Sequence, residues 1–424
     1  MSTHITKLAN GLTVATISMP NIQTSTIGAW VQTGSRNEPP HLNGISHFLE
    51  HMLFKGTQKR TSFEISSAIE NVGGYMNAYT SKNVTAYHMK VLSEHTELAV
   101  DVLSDMFIHS QFPEDEMEKE RGVILQEIAQ CFDDPNILVY DYYDTVRFPN
   151  QSYGRPIIGT PKIVQTITQK DLFDYLQQRY IAQNTIIVCA GKVQHEKFVE
   201  LVEKYFQDIP SGCVMSFEKS QYVGGFDSFQ KDFEQITMTY GWSGNVYQDN
   251  PRRYSHLIAS QAIGGGMSSP LLFEIREKHG LVYHVDCQAD FEKDHSSFLI
   301  YAATTGENVA PFFDVSHRLI EKIIHQSHLT ELDILRAKNQ YKASLLMNLE
   351  SPMQQAEKIV RNLQIFGKEI TLEESIASLE NVQYHHVQEA IQEMFAGKPT
   401  LQMIGPIQKK DIEHYYEKLF YISN

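Results

Sequence analysis

Hydrophobic and polar positions alternate with a period of about two through the first part of the chain, the pattern of half-buried strands. "ITKLANGLTVATIS" (5–18) reads as strand, turn and strand, with Asn10-Gly11 the dipeptide of a tight hairpin, and "TSTIGAWVQTGS" follows as a further extended run. The period then lengthens, and a helix is expected over 44–55. Thr61 followed by Glu64 forms a capping box that opens the helix "SFEISSAIENV", which Gly73-Gly74 closes. "YMNAYTSKNVTAYHMKVL" reads as two paired strands. Long helices are expected from about 94 to 110, 114 to 131 and 136 to 148. A strand, "TIIVCAG", and a helix after it complete a unit near residue 207.

Residues 208–228, "DIPSGCVMSFEKSQYVGGFDS", carry Pro, Gly and Ser with little periodicity and read as a linker. Beyond them the same order recurs: the strand "QITMTYGW", a helix near 252–263, paired strands around 281–304, and helices from 309 onward. The strand "TLQMIG" and a last helix echo "TIIVCAG" and its helix. The reading is an internal duplication of one α+β unit, with an N-terminal half at 1–210, a linker at 211–228 and a homologous C-terminal half at 229–424.

Bulk properties narrow the function. With 42% hydrophobic and 21% charged residues in 424, the chain is a folded protein of more than one domain. It carries 51 acidic against 36 basic side chains, a formal net charge of −15, so a nucleic-acid partner is not expected. The negative field favours cationic ligands such as basic peptides. Cys131, Cys189, Cys213 and Cys287 show no C-x-x-C spacing and read as reduced thiols. No secretory signal and no membrane-length apolar run is visible, so a bacterial cytoplasm or an organelle matrix is the expected location.

The chemistry concentrates in "GISHFLEHMLF" (44–54). On a helix His47 and His51 are one turn apart and share a face, so one cation can be held by both. Glu50 lies beside that face but turned aside, suited to holding a water. The order H-x-x-E-H is a signature of inverted zinc peptidases. Neutral imidazoles bind zinc and leave an open position where water becomes acidic enough to attack a carbonyl, while a nearby carboxylate takes the proton. Catalytic zinc sites usually take three protein ligands, so a third is needed. The helix "PEDEMEKERGVILQEIAQ" offers Glu120 and Glu127, two turns apart beside the stripe of Met117, Ile124 and Ile128. Spacing alone does not choose between them.

His47-Phe48-Leu49-Glu50-His51, with Glu127 76 residues on, resembles the pitrilysin family of zinc peptidases, and most closely its mitochondrial-processing-peptidase branch. The stretches "GSRNEPPHLNGISHFLEHMLFKGTQKR", "GGYMNAYTSKNVTAYHMKVL" and "ERGVILQEI" carry the same resemblance. It implies Glu127 as third ligand of one Zn²⁺ per chain and Glu120 as a carboxylate that orients a histidine. It implies that Asn77 and Ala78 lie on an edge strand where a peptide adds by backbone pairing. In "IREKHGLVYHV" it assigns Arg276 and Tyr283, whose donors suit substrate carbonyls or a developing oxyanion. "AIGGGMSSPLL" (262–272) resembles the glycine-rich loop of the non-catalytic processing-peptidase subunit, departing from it at Pro270.

The resemblance further implies two homologous α+β halves, each a mostly antiparallel sheet packed with helices, closing like a clam-shell around a cavity. The expected activity is that of a zinc endopeptidase cleaving extended peptides or presequences in that chamber, working as a homodimer or with a related subunit. The competing readings are a non-catalytic core-protein-like scaffold, expected to hold no zinc, and a peptide-binding module indifferent to chelator. Intact His47, Glu50, His51 and Glu127 favour the hydrolase.

Overall fold

The structure, a computed structural model, describes residues 2–244, 252–326 and 328–422. In the first half, β1 (Ser2–Lys7) and β2 (Thr13–Ser18) form the hairpin expected at Asn10-Gly11, where Gly11 takes a φ of +92°. After them come β3 (Thr24–Val31), α1 (Ile45–Met52), α2 (Ser62–Glu70), β4 (Tyr75–Thr80) and β5 (Thr85–Leu92). Helices α3 (Thr96–His109), α4 (Glu114–Asp133), α5 (Pro135–Arg147), the short α6 (Pro161–Val164) and α7 (Gln169–Arg179) lead to β6 (Thr185–Gly191) and α8 (His195–Tyr205).

The second half opens with β7 (Gly225–Gln230), β8 (Ile236–Gly244) and α9 (Arg253–Gly264). Next is α10 (Pro270–Leu272), which runs into a π-helical turn over Phe273–Lys278, and then β9 (His284–Phe291) and β10 (Ser296–Thr304). Helices α11 (Val309–His325), α12 (Glu331–Asn348), α13 (Pro352–Phe366), α14 (Leu372–Glu380) and α15 (Tyr384–Met394) precede β11 (Thr400–Gly405) and α16 (Lys409–Ile422).

The duplication read from element order is explicit in the sheets. Their strand orders are β1-β2-β6-β3-β5-β4 and β7-β11-β8-β10-β9. Set β1 aside, and each sheet has one parallel pair at one end followed by antiparallel neighbours. α1 and α2 stand between β3 and β4 as α9 and α10 stand between β8 and β9. Packing groups the chain into two compact units that cross this order. One comprises the chain up to Gln130, Arg155–Glu218 and Asn348–Gln364; the other comprises Cys131–Gly154, Lys219–Met347 and the chain from Ile365 onward. The second half's α13 thus belongs to the first unit, and the first half's α5 to the second.

The reason lies in the period-two pattern of the strands. In the first unit Val14, Ile27, Ala29, Tyr87, Ile187 and Cys189 face one side of the sheet, packed under α1, α3, α4, α7 and α8. Their neighbours Ala15, Trp30, Ala86, Ile186 and Val188 face the other side, which Ala356, Ile359 and Val360 of α13 cover. In the second unit Met238, Tyr240, Ile300 and Met403 line the main core, while Tyr301 and Ile404 on the other face meet Leu138 and Val139 of α5. A sheet apolar on both faces needs two covering layers.

Local signals behave as their chemistry requires. Glu64 N–H donates to Thr61 Oγ1 at 3.3 Å and Thr61 N–H to Glu64 Oε2 at 2.8 Å, closing the capping box of α2. Pro270 occupies the first turn of α10, behind a Ser269 cap that accepts from Leu272 N–H, a position where proline's missing N–H costs nothing. Among the described residues no disulfide joins any of the four cysteines. Among the described residues no helix is long and apolar enough to cross a membrane.

Candidate metal centre

The face that α1 turns outward follows from the face it buries. Ile45, Phe48, Leu49 and Met52 recur at helical spacing and are wholly buried in the first unit's core. Burying that stripe leaves His47, Glu50 and His51 partly exposed on the other side. α4 packs Met117 and Ile124 into the same core, and Glu120 and Glu127 come to α1 with them.

Glu127 Oε2 lies 3.7 Å from His47 Nε2 and 3.5 Å from His51 Nε2. The three candidate ligand atoms are all within 4.8 Å of one another. A tetrahedral ion with bonds of about 2.0–2.2 Å spaces its ligand atoms roughly 3.3–3.5 Å apart, so the residues fit zinc with little movement. Burial, with the His51 ring beside it, pulls the His47 imidazole down to about 3, holding it in the neutral form that binds a metal. His47 Nδ1 is buried without a hydrogen-bond partner among the described residues.

Two further side chains orient the set. With His51 Nε2 toward Glu127, its Nδ1 carries the proton and donates to Glu120 Oε2 at 3.0 Å. The other Glu120 oxygen receives Lys55 Nζ at 2.6 Å. Burial works upward on the Glu120 carboxyl, but Lys55 and His51 outweigh it and hold it below the usual carboxylate range. Glu50 is not among the three clustered ligands. Its Oε2 accepts from Thr80 Oγ1 at 2.5 Å, and burial pushes its carboxyl above the usual range despite that bond. A carboxylate so placed is poised to exchange a proton.

Thr80 ends β4, the outermost strand of its sheet. Asn77 and Ala78 lie on that edge, with Ala78 N–H donating to Asn77 Oδ1 at 2.9 Å. A cleft of about 500 Å³ opens between this strand, α1 and α2, lined by Glu50, His51, Tyr75, Asn77, Ala78 and Glu120 among others. In the second unit the Arg276 guanidinium lies 5.4 Å from the centre of the Tyr283 ring, and Tyr283 is 82% exposed. Arg276 stands on the π-helical turn, a widened geometry frequent at functional sites.

The structure therefore gathers His47, Glu50, His51, Glu120, Glu127, Asn77 and Ala78 within the first unit, and Arg276 with Tyr283 within the second. Sequence reasoning missed Lys55 and Thr80. Lys55 sits four residues after His51, just past the end of α1, and Thr80 three after Asn77; both spacings were visible, but neither residue type announces a role alone. In α9, which stands where α1 does in element order, His256 is followed at the same spacing by Ala259 and Ser260 rather than by a glutamate and a histidine. Among the described residues the three-ligand cluster occurs in one copy of the repeat only.

Residues 13–161 match the family described as Insulinase (Peptidase family M16), and residues 166–341 match that described as Peptidase M16 inactive domain. A Rickettsia felis protein named "Uncharacterized zinc protease" is 36% identical over 95% of this chain and 97% of its own. An Arabidopsis thaliana protein named "Probable mitochondrial-processing peptidase subunit beta, mitochondrial" is 31% identical over 96% of this chain and 79% of its own. Among solved structures, a protease from Helicobacter pylori superposes with a TM-score of 0.87 at 22% identity, covering 95% of this chain and 99% of that one, a likeness of fold.

Proposed function

The chain belongs to the insulinase family of peptidases, M16, and from that premise we propose that it is a zinc-dependent endopeptidase acting on peptides bound in extended form. The observation that supports this most is the gathering of His47, His51 and Glu127 within 4.8 Å, with Glu50 beside them and left out of the set. His47 Nε2, His51 Nε2 and the Glu127 carboxylate would hold the ion. When bound, zinc supplies a Lewis acid that polarises a carbonyl and makes water acidic near neutral pH.

The remaining work falls to the chain. Glu50 takes the proton of the attacking water as the new C–O bond forms, and returns it to the nitrogen that departs as the C–N bond breaks. Glu120 holds His51 in one tautomer, and Lys55 holds Glu120. The edge of β4 at Asn77 and Ala78 pairs with the substrate backbone, so flexible peptides are cleaved in preference to folded proteins. Arg276 and Tyr283, of this chain or of a partner subunit, carry donors suited to substrate carbonyls and the oxyanion. The net charge of −15 favours basic peptides, presequences among them. The working form is a homodimer or a pair with a related subunit, in a bacterial cytoplasm or an organelle matrix.

Glu50→Gln is the test. The variant is expected to keep stoichiometric zinc while hydrolysis of a quenched fluorogenic basic peptide falls by about 10²–10⁴-fold, the usual size of a general-base contribution. Persisting hydrolysis removes the role of Glu50, and a wild type that holds no zinc removes the enzyme.

A further inference from the structure

Glu38 stands nine residues before His47 and outside the metal set, yet its side chain is buried, at 3% exposure. Its carboxylate accepts three N–H donors: Gly44 N at 2.7 Å and Asn43 Nδ2 at 2.9 Å on Oε2, and Ser46 N at 2.8 Å on Oε1. Ser46 is the second residue of α1, so its amide is one of those a helix leaves unpaired at its start. An N-cap side chain ordinarily satisfies that amide.

Here the cap position cannot carry one. It is held by Gly44 at a φ of +100°, and a Cβ there would lie 2.8 Å from the carbonyl oxygen of Ile158 and 3.0 Å from Gly159 Cα. The segment that crosses α1 at its start excludes every side chain, and the acceptor arrives instead from Glu38. A second tether, Ser46 Oγ sharing a hydrogen bond with Tyr175 OH at 2.8 Å, grips the same turn. His47 is the next residue.

We propose that Glu38 is a positioning residue for the metal centre, supplying the cap that Gly44 cannot and so setting the height and rotation of α1. Because α1 has only eight residues, an error in its first turn is carried to both His47 and His51. Metal sites hold their ligands to within about 0.5 Å, so a small shift of this turn matters. The inference rests on the reading that His47, His51 and Glu127 hold zinc.

The test compares wild type with Glu38→Gln and Asn43→Ala at about pH 8, where Glu38 is mostly ionised, titrating metal-free protein with zinc against a chelator and recording the visible spectrum after cobalt substitution. A carboxamide must aim its NH₂ at one of the N–H donors whichever way it is turned. Glu38→Gln is therefore expected to weaken zinc binding about tenfold or more and to shift the cobalt bands. Asn43→Ala, which removes one donor, moves both readouts the same way by less. Leu12→Ala, a variant of the same buried core, is expected to lower Tm while leaving both readouts at wild-type values. Wild-type affinity and spectrum in both Glu38→Gln and Asn43→Ala overturn the proposal, as does an equal loss of affinity in Leu12→Ala. If Glu38→Gln does not fold, Asn43→Ala decides. A wild type that takes up no cobalt overturns the metal reading as well, whereas normal uptake with unaffected variants overturns the positioning role alone.

Discussion

Glu120→Gln probes the chain of contacts behind His51. In the wild type both carboxylate oxygens are engaged, one by His51 Nδ1 at 3.0 Å and the other by Lys55 Nζ at 2.6 Å, and the side chain is only 10% exposed. A glutamine has nearly the same shape but a single acceptor. With its oxygen toward His51, its NH₂ faces the Lys55 ammonium; turned over, its NH₂ faces the Nδ1 proton. Either way one charge-assisted bond becomes a donor–donor contact. Hydrogen bonds to charged groups contribute about 1.5–3 kcal/mol. At about 1.4 kcal/mol per factor of ten, zinc affinity should fall by about ten- to a hundredfold. Metal-free protein titrated with zinc against a chromophoric chelator at neutral pH measures this directly. Lys55→Met should cost less, about three- to tenfold, because the histidine contact survives and the lysine is 24% exposed. The pair should also be coupled: once Glu120 is glutamine, Lys55→Met should cost nothing further. Wild-type zinc affinity in Glu120→Gln, or losses that simply add, would refute the relay.

Two other outcomes are expected. Ala78→Pro removes the N–H that Ala78 gives to Asn77 Oδ1 on the sheet's outermost strand, where proline is tolerated. It should raise KM for peptides by about tenfold, the worth of one backbone hydrogen bond, with zinc content unchanged; an unaltered KM in initial-rate kinetics would argue against strand pairing there. Burial pushes the Glu38 carboxyl up to about 7 from an ordinary 4.5, against the pull of Gly44, Ser46 and Asn43. A carboxyl raised in the folded state favours folding most below its unfolded value, so this contribution is lost as pH climbs from about 4.5 through 7. At 1.36 kcal/mol per pH unit the full interval is about 3 kcal/mol. Calorimetric melting of the metal-free protein between pH 5 and 8 should show that decline in the wild type and not in Glu38→Gln. Parallel curves would contradict it.

Much of this molecule is written in local signals. The Asn10-Gly11 hairpin, the Thr61–Glu64 capping box and the i, i+3, i+4, i+7 stripe of Ile45, Phe48, Leu49 and Met52 depend on neighbours a few residues apart, and the chain alone determines them. The spacing of His47 and His51 is of the same kind, since a helix puts residues four apart on one face. The repeat was legible because both halves keep one order of strands and helices.

Contacts between distant segments were another matter. Glu120 and Glu127 share one face of α4, and their spacing did not say which meets the histidines; the packing of Met117 and Ile124 against α1's own core fixes the rotation of that helix and brings Glu127 to both imidazoles. Lys55 acquires its role only because Glu120 comes within 2.6 Å, and Glu38 only because Gly159 fills the space where a cap on Gly44 would stand. The exchange of α5 and α13 between the compact units likewise follows from sheets apolar on both faces, which strand patterning reveals without naming the helix that covers them. Periodicity is a property of neighbours along the chain, whereas which side chain fills a given space is settled by close packing between segments far apart in it.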